Sequence, residues 1–330
     1  MSAEASRSAI AALGMYVPPK VMTNDDFAGI VDTSDEWITQ MTGIKERHFV
    51  EGDVATSDLA TRAAEDALER AGVAASDVEM ILVATATPDM FFPSTACLTQ
   101  AKIGAENAFA FDISAGCSGF IYGMTVVDQF IRAGTVETAL VIGAETLTRF
   151  TDMTDRNTCV LFGDGAGAAV VRPADSSRGL VDHFVQSDGR LGHLLTLPAG
   201  GTRTPASHET VDARLHYIKM EGRKIYVNAV KKMADSIICV LEQQGLSGSD
   251  LDILFPHQAN TRIITSVAER AGLPMERVFV NIHKYGNTSA ASIPIAMYEA
   301  EQEGRLESGM LAGMVAFGAG FTYGAALVKW

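Results

Sequence analysis

The chain repeats itself, and that repeat limits what it can fold into. Glu69-Arg-Ala-Gly-Val-Ala-Ala-Ser-Asp-Val-Glu-Met-Ile-Leu82 aligns without a gap on Glu242-Gln-Gln-Gly-Leu-Ser-Gly-Ser-Asp-Leu-Asp-Ile-Leu-Phe255. Each copy ends a helix at glycine (Gly72, Gly245), passes a Ser-Asp turn and enters an apolar strand. Further on, the strand and turn Phe111–Gly119 match Phe279–Ser289, and Ala133–Thr138 echoes Glu303–Ser308. The pattern predicts helices near 57–71, 118–133, 223–244, 259–272 and 288–303. Apolar strands are predicted near 79–86, 107–113, 138–144, 166–171, 251–256, 277–281, 310–317 and 322–329. Continuous apolar strands alternating with helices imply an α/β fold of mainly parallel sheets covered on both faces. Two halves follow, 1–172 and 173–330. Residues 173–221 lack the rhythm and are rich in Gly, Pro, Ser and His, so they are read as a connection that shapes a site.

Forty acidic against 26 basic residues give a net charge of −14, which argues against broad nucleic-acid or anionic-membrane binding. An acidic partner therefore needs a local basic patch. The four cysteines, Cys97, Cys117, Cys159 and Cys239, show no CxxC spacing, so neither a metal site nor a redox pair is expected. Ala9–Val17 has the hydrophobicity of a leader. However, Glu4 offsets Arg7 and Pro18-Pro19 stand where a cleavage site belongs, so a reducing cytoplasm is expected. Met310–Val328 carries no charge and is long enough to span a bilayer. Its four glycines, with Thr322 and Tyr323, read instead as two buried strands around a loop.

Chemistry concentrates at three strand ends. Cys117 follows the strand in Phe111-Asp112-Ile113-Ser114-Ala115-Gly116-Cys117 and opens a helix, where the dipole and free N–H groups favour a thiolate. The other cysteines lack such a turn and are assigned to the core. His257 ends Leu251–Pro256, and Asn287 occupies the turn that matches Cys117 in the repeat. A nucleophile, an imidazole and an amide converging from duplicated halves point to carbon–carbon chemistry at a thioester. Gly163-Asp-Gly-Ala-Gly167 looks like a dinucleotide loop, but a strand follows it where that motif needs a helix.

These motifs resemble the β-ketoacyl-acyl-carrier-protein synthase III family of condensing enzymes. The matching runs are Asp32-Thr-Ser-Asp-Glu-Trp-Ile38, Ala115-Gly-Cys-Ser-Gly119, Phe162-Gly-Asp-Gly-Ala-Gly-Ala168, Pro256-His-Gln-Ala-Asn260, Gly286-Asn-Thr-Ser-Ala-Ala-Ser292 and Phe317-Gly-Ala-Gly-Phe321. The resemblance implies a thiolase fold of two five-stranded sheets layered with helices (αβαβα). It also implies decarboxylative condensation of a short acyl-CoA with malonyl-acyl-carrier protein, starting fatty-acid synthesis, with no bound cofactor. Cys117, His257 and Asn287 become the catalytic set, with backbone N–H groups of Cys117 and Ala319 as the oxyanion hole. Trp37, Arg156 and Asn260 are assigned to CoA, the first two flanking the adenine. Phe92 is assigned to the acyl pocket of a homodimer partner. Arg262, Lys224, Lys231 and Lys232 are assigned to carrier docking, the lysines within a basic cluster that adds Arg214, Lys219 and Arg223. Met41 stands where relatives often carry a CoA-contacting arginine, which implies weaker CoA binding.

Two rivals remain at this stage. A starter condensation in polyketide or other secondary metabolism uses the same three residues. A Cys-His-Asn hydrolase shares their chain order, although the duplication opposes it. A biosynthetic thiolase would need a second cysteine where this chain has Ala319.

Overall fold

The computed structural model describes residues 7–174 and 177–330, so residues 1–6 of the first predicted half lie outside it. The repeat is visible bond by bond. Helix Thr56–Ala71 stops at Gly72 (φ +63°), passes the 3₁₀ turn Ala75–Asp77 and enters the strand Met80–Ala84. Helix Gly222–Gln243 leads through Gly245 (φ +69°) and the turn Gly248–Asp250 into the strand Ile253–Pro256. Each copy is sutured alike: Glu79 N–H donates to Thr138 O (2.9 Å), and Asp252 N–H donates to Leu311 O (3.0 Å). The two segments thus share one local code.

The first sheet runs Arg7–Tyr16, Asp164–Ala174, Ala139–Thr146, Met80–Ala84, Phe109–Ile113. Its last three strands are parallel and its other two pairings antiparallel. The second sheet runs Gly179–Ser187, Thr322–Lys329, Leu311–Gly318, Ile253–Pro256, with only the final pair parallel. The sheets are therefore mixed rather than mainly parallel, and the second has four strands. Its expected fifth, near 277–281, is reduced to one bridge between Val278 and Leu254. The cause is Gln258. Its side chain donates to Phe279 O (3.1 Å) and accepts from the N–H groups of Asn281 (3.1 Å) and Ile282 (3.2 Å). A side chain thus occupies backbone groups that a ladder would have used.

Helices Gly119–Arg132 and Ser292–Gln302 lie between the sheets, where Phe120, Met124, Ile293 and Met297 pack against strands of both. Thr56–Ala71 and Thr95–Ile103 cover the outer face of the first sheet. Gly222–Gln243 and Thr261–Arg270 cover the second. This is the αβαβα thiolase architecture. Met310–Val328 contributes two antiparallel strands, and no helix among the described residues is long and apolar enough to cross a membrane.

Two strands of the five- and four-stranded sheets lie where none was predicted, as do the two-stranded ladders Lys20–Thr23 with Glu46–Phe49 and Leu195–Thr196 with Lys219–Met220. Arg7–Tyr16, the leader-like run, pairs with Asp164–Ala174. Gly179–Ser187 comes from the presumed connection. The strand Phe109–Ile113 pairs on one side only, with Phe109 46% exposed and stacked on Phe111.

Gly14 shows how tightly helix and sheet fit. A Cβ there would stand 2.3 Å from Ala67 N and 2.4 Å from Ala63 O, both on the covering helix. Gly14→Ala is expected to cost about 1–3 kcal/mol through overpacking. Gly189→Ala, with nothing within 4 Å of its Cβ, should stay within about 0.5 kcal/mol of the parent. Urea midpoints at constant m-value check both.

Candidate active site

Cys117 sits on the 3₁₀ turn Gly116–Ser118, which runs directly into the central helix Gly119–Arg132. The turn lies against the loop after the strand Leu311–Gly318. A Cβ on Gly116 would come within 2.8 Å of Ala319 N, and one on Gly318 within 2.4 Å of Cys117 N. Only glycine at both positions lets the two backbones touch, which brings the N–H groups of Cys117 and Ala319 close together. Two bonds latch them: Ser118 Oγ donates to Thr322 O (3.1 Å), and Thr322 Oγ1 donates to Ala115 O (2.6 Å).

His257 terminates the strand Ile253–Pro256 and is 2% exposed. Ser292 Oγ lies within hydrogen-bond distance of His257 Nδ1 (2.7 Å) and accepts from Gln258 N–H (3.4 Å). In the tautomer whose Nδ1 accepts the Ser292 hydroxyl, a neutral ring carries its proton on Nε2. Asn287 Oδ1 accepts from Ser289 N–H at 2.9 Å, which leaves the amide hydrogens as its remaining polar face. By element, the partner of Cys117 is Ala290, the middle residue of the turn Ser289–Ala291. Asn287 precedes that turn by two residues, so the repeat match is displaced.

All three residues line one cavity of about 830 Å³. Its walls are largely apolar, including Leu147, Phe150, Tyr226 and Phe317, and one side is built by Leu195, Thr196, Leu197, Ile218 and Met220 from the connecting segment. Burial dominates the electrostatics. It drives the Cys117 thiol up to about 11, against a smaller downward pull from the Ser289 hydrogen bond. The expected thiolate is thus absent from the resting site, because desolvation outweighs the favourable turn. Burial alone pulls His257 down to about 3. Glu145, the penultimate residue of the strand Ala139–Thr146 and fully buried, is pushed up to about 7 by the same cause. Glu145 was not singled out in the sequence, although one carboxylate inside an apolar strand was a readable signal.

The remaining predicted residues divide. Trp37, Asn260 and Arg262 line the cavity with Met41. Arg156 stacks directly on Trp37, 4.8 Å from the ring centroid, and donates to Asp32 O (2.9 Å). A flat ring held between two groups needs about 7 Å, two carbon contact distances of ~3.5 Å. The pair is closed on itself, so flanking an adenine requires Arg156 to move. Asn260 caps helix Thr261–Arg270 through Arg262 N–H and donates to Met41 O, both at 2.9 Å. Arg262 lies against Met41, Nη1 to Sδ 3.9 Å, so a cation stands beside Met41. Phe92 is 85% exposed and lies outside the cavity. In the basic cluster, Arg214 and Lys219 pair with Asp152, Lys224 with Glu221, and Lys232 donates to Tyr323 Oη (3.0 Å). Cys159 is buried as expected, whereas Cys97 is exposed and Cys239 half-buried. The core assignment therefore holds for Cys159 alone.

Comparison with known proteins bears on this geometry. Residues 111–189 match the family model described as 3-oxoacyl-[acyl-carrier-protein] synthase III, and 241–330 match that of its C-terminal part. The chain is 54% identical over 317 residues to the beta-ketoacyl-[acyl-carrier-protein] synthase III of Caldanaerobacter subterraneus subsp. tengcongensis, covering 96% of each. The crystal structure of 3-oxoacyl-[acyl-carrier-protein] synthase III from Aquifex aeolicus superposes with a TM-score of 0.91 at 45% identity, covering 98% of this chain and 100% of that one. The priming beta-ketosynthase from the R1128 polyketide pathway superposes with a TM-score of 0.90 at 31% identity, covering 99% and 98%.

The imidazole assignment is directly measurable. Nitrogen NMR of His257 should show a neutral ring protonated on Nε2, with a midpoint near 3 instead of 6.5. The unfolded ring takes up its proton near 6.5 and the folded ring does not. This group therefore costs stability as pH falls below 6.5. A His257 midpoint above 5.5 would contradict the assignment.

Proposed function

The chain belongs to the 3-oxoacyl-[acyl-carrier-protein] synthase III family, and from that premise we propose how its own residues carry out the family's condensation. It is an acyltransferase that joins an acyl-CoA to malonyl-acyl-carrier protein, releasing CoA and CO₂ and initiating fatty-acid synthesis. One observation carries the assignment of roles: Cys117, His257 and Asn287 share a single deep cavity whose rim holds Trp37, Arg223 and Arg262.

Cys117 attacks the acyl-CoA carbonyl and keeps the acyl group, which divides the condensation into two easier steps. The N–H groups of Cys117 and Ala319 stabilise the oxyanion formed in that step. After CoA leaves, the malonyl thioester takes its place. His257 Nε2–H and the Asn287 amide donate to its carbonyl, so loss of CO₂ leaves an enolate held by two neutral donors. The enolate carbon then attacks the acyl-cysteine. A histidine held neutral suits this role because it donates a hydrogen bond without adding a charge that would have to be desolvated.

Trp37 and Arg156 would open around the adenine, with Asn260 and Arg262 beside the pantetheine arm. An acidic carrier protein would meet Arg262, Lys224, Lys231 and Lys232 on that rim. The protein acts as a cytoplasmic homodimer in this reading, with no bound cofactor. The exposed Phe91 and Phe92 would be covered by the second subunit, Phe92 reaching its acyl pocket and favouring a short starter. The halves 1–172 and 173–330 would be the two copies of the ancestral unit. Starter synthesis in secondary metabolism is the weaker reading, since identity to the R1128 enzyme is 31% against 45% for the Aquifex aeolicus one.

Acetyl-CoA should add one acetyl group at Cys117, and Cys117→Ala should abolish the adduct by intact mass. His257→Ala and Asn287→Ala should still acylate, yet lose malonyl decarboxylation by roughly 10²-fold, the effect of removing one oxyanion donor. Normal decarboxylation in either variant would remove that residue from the role. Light scattering should give about twice the chain mass of 35.1 kDa, and an active monomer would defeat the assignment of Phe92.

A further inference from the structure

The two N–H groups assigned to the oxyanion come from different sheets: Cys117 follows the strand Phe109–Ile113, and Ala319 follows the strand Leu311–Gly318. Their spacing matters closely, because a donor stabilises an oxyanion only within about 2.7–3.1 Å of it. Glycine at 116 and 318 lets the two backbones meet. Contact alone leaves them free to slide, since dispersion has no direction. Hydrogen bonds, which do have direction, must set the register.

Those bonds converge on Thr322, the first residue of the strand Thr322–Lys329. Its Oγ1 donates to Ala115 O at 2.6 Å, with Ala319 O as a second, weaker acceptor at 3.2 Å. One hydroxyl therefore stands between the Cys117 turn and the residue that carries the other donor. The Thr322 carbonyl completes the tie by accepting from Ser118 Oγ (3.1 Å). The Cys117 turn is thus held before and after the sulfur by a single residue of the second sheet. The far side of the loop is braced by main chain: Asp188 N–H donates to Phe321 O (2.7 Å), and Phe321 N–H donates to Asp188 O (3.0 Å). On the Cys117 side, hydroxyl groups do the holding. Neither Thr322 nor Ser118 is among the residues lining the cavity, so both act through the donors and not on substrate.

We propose that Thr322 is a positioning residue for acyl transfer: its hydroxyl sets the spacing of the Cys117 and Ala319 N–H groups and thereby the rate of Cys117 acylation. The proposal rests on reading those two groups as the oxyanion donors. It separates the half-reactions, because the enolate donors are anchored elsewhere. His257 N–H donates to Val315 O (2.8 Å), and its ring meets Ser292 Oγ at 2.7 Å. Asn287 N–H donates to Leu161 O (2.9 Å), and its carbonyl accepts from Gly163 N–H (3.0 Å). The Asn287 side chain accepts from Ser289 N–H at 2.9 Å. None of these bonds involves Thr322, Ser118 or Ala115. A change at Thr322 therefore reaches acylation while leaving the loss of CO₂ from the malonyl thioester intact.

Thr322→Val tests this, because it keeps the size and branched shape of the side chain but puts a methyl group where the hydroxyl was. A carbon and a carbonyl oxygen stay about 3.3 Å apart, so the 2.6 Å contact with Ala115 O has to open. Single-turnover acetylation of Cys117 by acetyl-CoA, followed by intact mass, should be roughly 10- to 10²-fold slower, the scale of a small misplacement. The acetyl-CoA concentration giving half the maximal rate should not change, since the lost interaction belongs to the transition state. Release of CO₂ from malonyl-acyl-carrier protein, measured without an acyl donor, should stay at the parental rate. Thr322→Ser keeps the hydroxyl and should acylate within about threefold of the parent. Equal losses in both half-reactions would overturn the proposal, because general structural damage predicts them. Thr322→Ser as slow as Thr322→Val would also overturn it, since the hydroxyl would then not be responsible. Parental acylation in Thr322→Val would do the same, and Ala319→Pro, which deletes the second donor itself, then shows how much falls. A slow Ala319→Pro would leave the oxyanion reading standing without Thr322, whereas a parental rate would remove that reading too.

Discussion

Backbone touching backbone at the centre of the molecule is the constraint on which the rest depends. Gly143 has no room for a Cβ, which would lie 2.2 Å from Ala290 O. A Cβ on Gly119 would meet the methyl groups of Ala84 (2.8 Å) and Ala290 (3.3 Å), and Gly116 and Gly318 face the opposite loops. The two central helices therefore start close together, with only glycine and alanine at the contact. Side chains placed at that junction have little access to water and few rotamers. The cavity, the paired N–H groups and the burial of Cys117 and His257 all follow from this approach.

That burial sets the chemistry of the site more than any charge does. The thiol moves up, the imidazole down and the carboxyl up, each with desolvation as the largest cause. The resting site is thus close to neutral, and its donors are N–H groups and hydroxyls. For a reaction whose negative charge shifts from sulfur to oxygen to carbon, such donors serve each station without having to be neutralised between them. Charges are kept at the rim, where Arg223 and Arg262 meet solvent.

Much of this was legible in the sequence because the repeat is local. Glycine stops, Ser-Asp turns and apolar runs identify helices and strands directly, and Cys117, His257 and Asn287 each stand at an end so marked. What escaped depends on long-range pairing. Arg7–Tyr16 has a leader's hydrophobicity, and only its partner Asp164–Ala174 makes it a strand. Gly179–Ser187 carries Asp182, His183 and Gln186 because it is a half-buried edge, so it lacks the apolar signature. Val278 fails to extend a strand because a side chain 20 residues away takes its neighbours' bonds. The thiolate expectation failed for a related reason: a helix start is visible in sequence, but the depth at which it is buried is not.

The open edge of the strand Phe109–Ile113 has a consequence for the chain before it finds any companion. A strand edge without a strand partner beside exposed Phe109 is a template for whatever strand arrives first. Correct assembly and precipitation are then competing outcomes of the same surface. Mutual repulsion between copies carrying a net charge of −14 slows indiscriminate encounters. As acid titrates the surface carboxylates that protection fades, and colloidal stability should decline before the fold itself gives way.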